Sequence, residues 1–185
     1  MLSSFSLLPT TIIATPRLEL RAMTPEDSSS LYILRSDPVV MHFIPRPLAK
    51  TTQEALGLIQ SFQVLIEANK AITWGIFLRT TGALIGTIGY VQIHPQHSRA
   101  EVGYLLGVPY QRNGFMSEAL NAVLVHGFRV WKFHTVEAIV SPNNLPSRYL
   151  LEKTGFIQEG YFKENQFYHG QFHDSVVLTH FGENL

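Results

Sequence analysis

A predicted strand gives way to a long predicted helix within the stretch Val108-Pro-Tyr-Gln-Arg-Asn-Gly-Phe-Met-Ser-Glu-Ala119. The start of such a helix presents backbone N–H groups without intrahelical acceptors, together with the positive end of the helix dipole. Gly114 lets the chain approach a ligand closely, and Arg112 adds a positive charge. The stretch lacks the Gly-Lys-Ser/Thr of a Walker A loop and the Gly-x-Gly-x-x-Gly fingerprint. It predicts a turn that binds phosphate or pyrophosphate, although an ordinary strand-to-helix turn would show the same pattern.

The rest of the chain alternates between strand and helix patterns. Alternating or β-branched runs predict strands at residues 17–22, 73–79, 84–93, 99–108, 135–140, 157–163 and 175–181. Apolar spacing and capping residues predict helices from Thr24 to about Arg35, after a cap at Thr52, from Gly114 to about Val130 and from Asn144 to Thr154. This order predicts an α+β layered domain in which helices pack on a mixed sheet.

The composition limits the classes of protein to consider. The 185 residues include 14 Lys+Arg, 14 Asp+Glu and no cysteine, and their length predicts an N-terminal arm over residues 1–13 and a single domain over residues 14–185. Zero net charge argues against nucleic acid or a membrane as a partner, and the lack of a spanning or targeting segment predicts a cytoplasmic protein. A charged fraction of 15% favours a homo-oligomer. Without cysteine, a cysteine nucleophile and cysteine-ligated zinc are excluded.

Four segments resemble the GNAT superfamily of N-acyltransferases. Gln111-x-x-Gly114-x-Met116 is similar to the Arg/Gln-x-x-Gly-x-Gly/Ala loop that binds acetyl-CoA in this family, and residues 100–104 are similar to its central strand. Residues 144–156 resemble its second signature, an Asn-x-x-Ser helix that ends in Glu-Lys-x-Gly-Phe. Residues 15–21 are similar to the opening strand of one branch, the RimJ/RimL-type ribosomal-protein N-terminal acetyltransferases.

The resemblance implies a GNAT-like fold, with a mixed, mostly antiparallel sheet flanked by helices, and acetyl-CoA as the cofactor. It implies acetyl transfer to a primary amine, either a protein N-terminal α-amine such as that of a ribosomal protein or a small-molecule amine. Direct attack in a ternary complex is the simplest route for a chain without cysteine. A non-catalytic CoA-binding sensor on the same fold is the alternative. The expected cofactor-binding residues are Leu106, Val108, Gln111, Arg112, Asn113, Gly114, Met116, Ser117, Asn144 and Ser147.

Two positions depart from the family pattern. Met116 stands where the loop often ends in a small residue, so its side chain must turn away from the pyrophosphate. Leu151 stands where many members carry the tyrosine that protonates the departing thiolate. The missing tyrosine leaves the proton donor open and gives the non-catalytic alternative some weight.

Glu101 is the first candidate for the general base, because a charge on a half-buried strand is unusual unless it is paired or functional. The alternative is a solvated edge carboxylate paired with Arg99. Glu159 is the second candidate, because residues 155–160 resemble the strand that borders the acceptor site in the family. An exposed strand residue is its alternative interpretation.

Asn144 and Ser147 are three residues apart at a helix start, so they share a face. The resemblance places that face beside the cofactor, where Asn144 would orient the pantetheine or a water and Ser147 would bind the departing sulfur. Asn144 would also serve as a plain N-cap. Tyr149 lies elsewhere on the helix and is expected to pack rather than to act as the acid.

The remaining candidates concern metal binding and acceptor choice. The sets His94-x-x-His97 and His169-x-x-x-His173-Asp174 are interpreted as loop histidines, and no metal site is expected. The segment Phe43-Ile-Pro-Arg46-Pro resembles the acceptor-binding loop of the family. Arg46 would there select an acidic acceptor, or be an ordinary surface arginine.

Overall fold

Eight strands form one sheet in the order β1-β2-β3-β4-β5-β6-β8-β7 in the computed structural model, which describes residues 7, 11–168 and 170–182. The strands are β1 (Ile13–Ala14), β2 (Leu18–Arg21), β3 (Ile72–Leu78), β4 (Leu84–His94), β5 (Arg99–Leu106), β6 (Thr135–Val140), β7 (Ile157–Tyr168) and β8 (Gln171–Phe181). The α-helices are α1 (Ser28–Ser36), α2 (Thr52–Glu67), α3 (Phe115–Arg129) and α4 (Leu145–Lys153).

The junction of β5 and β6 divides the sheet. The described strands pair antiparallel with their neighbours except for β5 and β6, which are parallel and connected through α3. These two strands pair only where residues 99–101 face residues 135–137, although β5 continues to Leu106 and β6 to Val140. The two strands therefore part beyond Glu101 and leave a gap in the middle of the sheet.

Two apolar cores lie on the two faces of the sheet. Neighbouring residues on a strand point to opposite faces, and Ile76 belongs to one core while Phe77 belongs to the other. The buried face of α3 joins the first core through Ala119, Leu120, Val123, Leu124 and Phe128. The helices α1 and α2 join the second through Leu31, Leu34, Ala55 and Ile59. Each large apolar side chain buried in this way stabilises the fold by about 1.5–3 kcal/mol.

The predicted mixed, mostly antiparallel fold is confirmed, with differences at several ends. The N-cap of α2 is Thr51, not Thr52, because the Thr51 hydroxyl accepts from the Glu54 N–H at 3.2 Å. The strand expected over residues 99–108 ends at Leu106, and a 3₁₀ turn follows at Val108–Tyr110. The closing strands β7 and β8 extend toward each other beyond the predicted limits, because their polar middle residues carry no alternating pattern.

Part of the predicted N-terminal arm contacts the rest of the chain. The strand β1 begins at Ile13, the last residue of that arm, and pairs with β2. The Trp74 indole donates to the Thr11 carbonyl at 3.0 Å, and Leu7 is buried in the first core. Residues 1–6 and 8–10 lie outside the described part, and the boundary between arm and domain stays a prediction. None of the helices in the described ranges combines the length and apolar character needed to cross a bilayer.

Candidate active site

A cleft of about 1270 Å³ opens where β5 and β6 part. At one end it is lined by residues of the segment 111–117, between β5 and the first turn of α3, which we call the amide end. Elsewhere it is lined by residues of the segment 35–46, which runs from the last turn of α1 into the connection to α2, and by Gln166, Tyr168 and Asp174 of the β7–β8 hairpin; we call this part the loop end. Glu101, Tyr104 and Ser147 line the cleft as well.

The amide end has the backbone geometry of an anion site. Gly114 is the N-cap of α3 with φ 78°, and Arg112 has φ 62°, so both adopt the left-handed conformation that glycine favours. The first turn of α3 therefore presents its N–H groups at the cleft, where Phe115, Met116 and Ser117 lie. Together with the positive helix end and the Arg112 side chain, these N–H groups fit a diphosphate.

A network from the N-terminal segment holds the amide end in place. Arg17 binds Glu118 through its Nε at 2.6 Å and its backbone N–H at 2.9 Å, and its Nη1 donates to the Asn113 carbonyl at 3.0 Å. The Thr15 hydroxyl donates to Glu118 at 2.6 Å. Burial alone would raise the pKa of Glu118, but the bonds from Thr15 and Arg17 hold it below its ordinary value. Sequence reasoning missed this network, which joins residues about a hundred positions apart.

Two predicted cofactor-binding residues stand away from the cleft. Val108 is exposed on the 3₁₀ turn, and neither it nor Asn113 lines the cleft. Instead the exposed Asn113 amide donates to the Gln111 carbonyl at 2.9 Å, a bond within the loop itself. The Gln111 side chain does line the cleft but also donates to the Leu106 carbonyl at 3.0 Å, so its conformation is fixed by the end of β5.

The other predicted cofactor-binding residues all line the cleft: Leu106, Gln111, Arg112, Gly114, Met116, Ser117, Asn144 and Ser147. The Met116 residue is only 8% exposed and its side chain packs in the core cluster that includes α3. That it turns away from a bound pyrophosphate stays a prediction. A large residue at this loop position therefore leaves the first-turn N–H groups accessible.

Glu101 is a half-buried carboxylate on a central strand, not on an edge. The expected alternative, a pair with Arg99, does not form, because Arg99 binds Glu137 at 3.2 Å. Glu137 is the neighbour of Glu101 across the β5–β6 pair, so two carboxylates stand side by side. Burial, and after it the charge of Glu137, raises the pKa of Glu101 above its ordinary value. Such a carboxylate is better suited to accept a proton than an exposed one.

Tyr104 lies three residues after Glu101 and therefore points to the opposite face of β5. Its hydroxyl is 2.7 Å from the Ser147 hydroxyl at the start of α4. Burial raises the pKa of Tyr104 to about 12, although the bond with Ser147 acts in the opposite direction. Sequence reasoning missed this tyrosine, whose only signal was a hydroxyl on the strand that carries Glu101.

The start of α4 confirms one interpretation of Asn144. The Asn144 side-chain oxygen accepts from the Ser147 N–H at 3.3 Å, so Asn144 is the N-cap of α4. This bond does not use the amide nitrogen, which remains available for a ligand in the cleft. Leu151 is fully buried in the core and does not line the cleft. Tyr149 is 68% exposed and lines the cleft, contrary to the expected packing role.

Glu159 and the histidine sets lie apart from these residues. Glu159 is exposed at a bulge in β7 and does not line the cleft. His169 lies outside the described residues. Over residues 7, 11–168 and 170–182, no three histidine or acidic side chains come close enough together to hold a metal ion.

Comparison with known proteins assigns the fold and its chemistry to a family. The family profile described as an acetyltransferase (GNAT) domain matches residues 17–157. The uncharacterised N-acetyltransferase YoaA of Bacillus subtilis (strain 168) is 34% identical over 168 residues, which cover 91% of this chain and 95% of that protein. The [ribosomal protein uS5]-alanine N-acetyltransferase of Escherichia coli (strain K12) is 30% identical over 128 residues, which cover 69% of this chain and 64% of that protein.

The fold likeness extends to a structure that holds coenzyme A. RimL, a ribosomal L7/L12 α-N-protein acetyltransferase solved in complex with coenzyme A, superposes with a TM-score of 0.85. The sequence identity is 23%, and the superposition covers 92% of this chain and 98% of that one.

Proposed function

The chain belongs to the GNAT family of acetyltransferases and uses acetyl-CoA to acetylate an amine, and we propose that its acceptor is a protein N-terminal α-amine attacked directly in a ternary complex. The observation that carries the proposal is the placement of Glu101 and Tyr104 on opposite faces of β5 beside one cleft. A proton acceptor and a proton donor thereby reach the gap from two sides. The alanine N-acetyltransferase activity of the Escherichia coli relative supports this class of acceptor.

The amide end would hold the diphosphate of acetyl-CoA through the first-turn N–H groups of α3 and through Arg112. Since β5 and β6 part next to this end, the cleft leads from it toward Glu101, Tyr104 and Ser147. When bound, acetyl-CoA supplies the thioester whose acetyl carbon the amine attacks. Asn144 would orient the pantetheine arm through its amide nitrogen while its oxygen caps α4.

Glu101 would accept the proton that the amine loses. An α-amine has a pKa near ~8 and a lysine amine near ~10.4, a difference of about 3 kcal/mol in the cost of deprotonation. Burial and the charge of Glu137 raise the pKa of this carboxylate. It can therefore deprotonate an α-amine more easily than a lysine amine. This difference is the chemical reason for preferring an N-terminus as the acceptor.

The Tyr104–Ser147 pair would return a proton to the departing sulfur. Tyr104 is protonated at neutral pH before transfer, because its pKa is about 12. The Ser147 hydroxyl would donate its proton to the thiolate and take one from Tyr104, and the Tyr104 phenolate would regain a proton from solvent in the open cleft when the products leave. This pair would perform the role that the family tyrosine performs at the position of Leu151. Direct transfer then needs no covalent enzyme intermediate.

Two further properties stay predictions. An acceptor on a ribosomal protein would place the reaction in the cytoplasm, as the sequence leads us to expect. Self-association is supported by Phe167 and Phe172, which are 64% and 63% exposed and in contact with each other on the β7–β8 hairpin. A small-molecule amine remains the second class of acceptor.

A panel of acceptors tests the proposal. The protein is mixed with acetyl-CoA and one acceptor at a time, and thiol release and product mass are measured. The acceptors are peptides with a free N-terminus, the same peptides with a blocked N-terminus and a free lysine, and small amines. We expect amine-dependent thiol release, with the acetyl group on the α-amine. Tight binding of CoA without amine-dependent release from any acceptor would instead support the non-catalytic sensor.

A further inference from the structure

Two arginines, Arg35 and Arg46, line the loop end of the cleft. Neither forms an ion pair with a residue in the part of the chain that the structure describes. The Arg35 Nη1 contacts the Met41 sulfur at 3.9 Å, and its Nε is buried without a hydrogen-bond partner. The cleft wall therefore holds two cations whose positive charge is not balanced there.

The acidic residue of the hairpin that lines the cleft already has other hydrogen-bond partners. Asp174 lines the same cleft, but its carboxylate accepts from the Glu164 N–H at 2.8 Å and from the Tyr161 hydroxyl. These bonds hold Asp174 on the β7 side. The other carboxylate on the cleft wall is Glu101 of β5, which lies beside Glu137 of β6. It has no bond to either arginine.

The unpaired charge is costly where it stands. Burial, and after it the nearby Arg46, lowers the pKa of Arg35 to about 10, so the guanidinium is still charged at neutral pH. Taking a cation out of water without a counter-ion is unfavourable, and placing a second cation beside it adds repulsion. A bound anion would relieve both costs, and the planar guanidinium fork fits a carboxylate with two parallel hydrogen bonds.

We propose that Arg35 and Arg46 form a subsite for a carboxylate carried by the acceptor, so that the enzyme prefers amines that also bear a carboxylate, such as N-termini followed closely by an acidic residue. This inference rests on the proposed function, because it assigns the loop end to the acceptor. A side pocket of about 550 Å³ adjoins the subsite, shares Arg46 and is lined by His42, Asn143 and Gln171. It gives the following residues of a peptide room to leave the cleft.

Matched acceptors test the subsite. Short peptides with the same first residue carry aspartate or asparagine at the second or third position, and kcat/KM is measured for each by thiol release. We expect wild-type protein to prefer the aspartate peptide by about tenfold or more, the effect of one charge-assisted hydrogen bond. The ratio of kcat/KM for the aspartate peptide to kcat/KM for the asparagine peptide should fall to near one in Arg35→Met and in Arg46→Gln. Arg129→Gln, an exposed arginine at the far end of α3, should keep the wild-type ratio.

The outcomes separate the subsite from the proposed function. Equal kcat/KM for both members of each pair, with both acetylated, would overturn the subsite and leave the N-terminal acetyltransferase intact. Acetylation of none of the peptides would overturn both. A phosphoserine peptide that exceeds the aspartate peptide would overturn the choice of carboxylate. Thermal unfolding of each variant shows that the ratio is measured on folded protein, and Arg46→Gln alone suffices if Arg35→Met does not fold.

Discussion

The two ends of the cleft differ in the atoms that form them: one is mostly backbone and the other mostly side chains. The amide end is mostly backbone, because it consists of one helix terminus and two left-handed residues, Arg112 and Gly114. The loop end is mostly side chains, which come from the last turn of α1, from the irregular segment that follows it and from the β7–β8 hairpin. A ligand common to a whole family can thus be held by local chain geometry. If the loop end binds the acceptor as proposed, the choice of acceptor would depend on side chains that the fold brings together from distant positions.

The largest effect should come from the carboxylate between the two ends. Glu101→Gln removes the proposed proton acceptor, so kcat/KM should fall by about 10²–10⁴-fold while the Kd for CoA stays unchanged. Steady-state kinetics and calorimetry measure the two quantities. Glu159→Gln is the matched comparison, because Glu159 is exposed and outside the cleft. A larger loss of kcat/KM in Glu159→Gln than in Glu101→Gln would mean that Glu159 is the general base.

A smaller loss is expected at the proton donor. Tyr104→Phe should lower kcat by roughly tenfold to a hundredfold, and Ser147→Ala should do the same, because each breaks the same 2.7 Å contact. The double variant should lose little more than either single variant, since the two hydroxyls act as a unit. Tyr149→Phe changes the other tyrosine of the cleft wall and should lose less. Fully multiplicative losses at Tyr104 and Ser147 would contradict the pair.

A substitution at the amide end should raise the KM for acetyl-CoA. Gly114→Ala places a side chain at φ 78°, which costs about 1–2 kcal/mol, and its Cβ would stand 3.4 Å from Arg17 Nη2. We expect the KM for acetyl-CoA to rise roughly tenfold. Gly82→Ala is the control, because Gly82 has φ 71° in the β3–β4 turn and open space around it. It should lower the melting temperature similarly and leave this KM unchanged; an equal rise in KM would show that only stability had been lost.

The smallest effect concerns pH. The pKa of Glu101 is raised first by burial and second by Glu137, so Glu137→Gln should lower it. The base is then deprotonated at lower pH, and the acidic limb of the kcat profile should move to lower pH, by less than about one unit. Glu152→Gln removes an exposed carboxylate on α4 and should leave the limb in place. An unmoved limb in Glu137→Gln would mean that a group other than Glu101 titrates there.

Local signals in the sequence predicted the amide end and much of the fold. Gly114 and the helix after it, the Asn144 cap and the strand Thr135–Val140 depend on neighbours within a few residues. The contacts that sequence reasoning missed join distant residues, as with Arg17 and Glu118 or Tyr104 and Ser147. Arg99 could pair with Glu101 or with Glu137. The register of β5 against β6 places it beside Glu137, which it binds. Such choices are made by tertiary packing, which a local pattern does not contain.

The bonds between Arg17 and Glu118 couple two equilibria. Thr15 and Arg17 lie between β1 and β2, while Glu118 lies in the first turn of α3. If the cofactor binds at the amide end as proposed, ordering of the N-terminal strands and cofactor binding would stabilise each other. Such coupling is reciprocal: whatever acetyl-CoA gains from an ordered N-terminal segment, that segment gains from acetyl-CoA. The amides of β2 should therefore exchange more slowly with solvent when CoA is bound, although they belong to another part of the sheet. On the proposed cofactor site, the first strands of the chain would thus contribute to the binding free energy of acetyl-CoA without touching it.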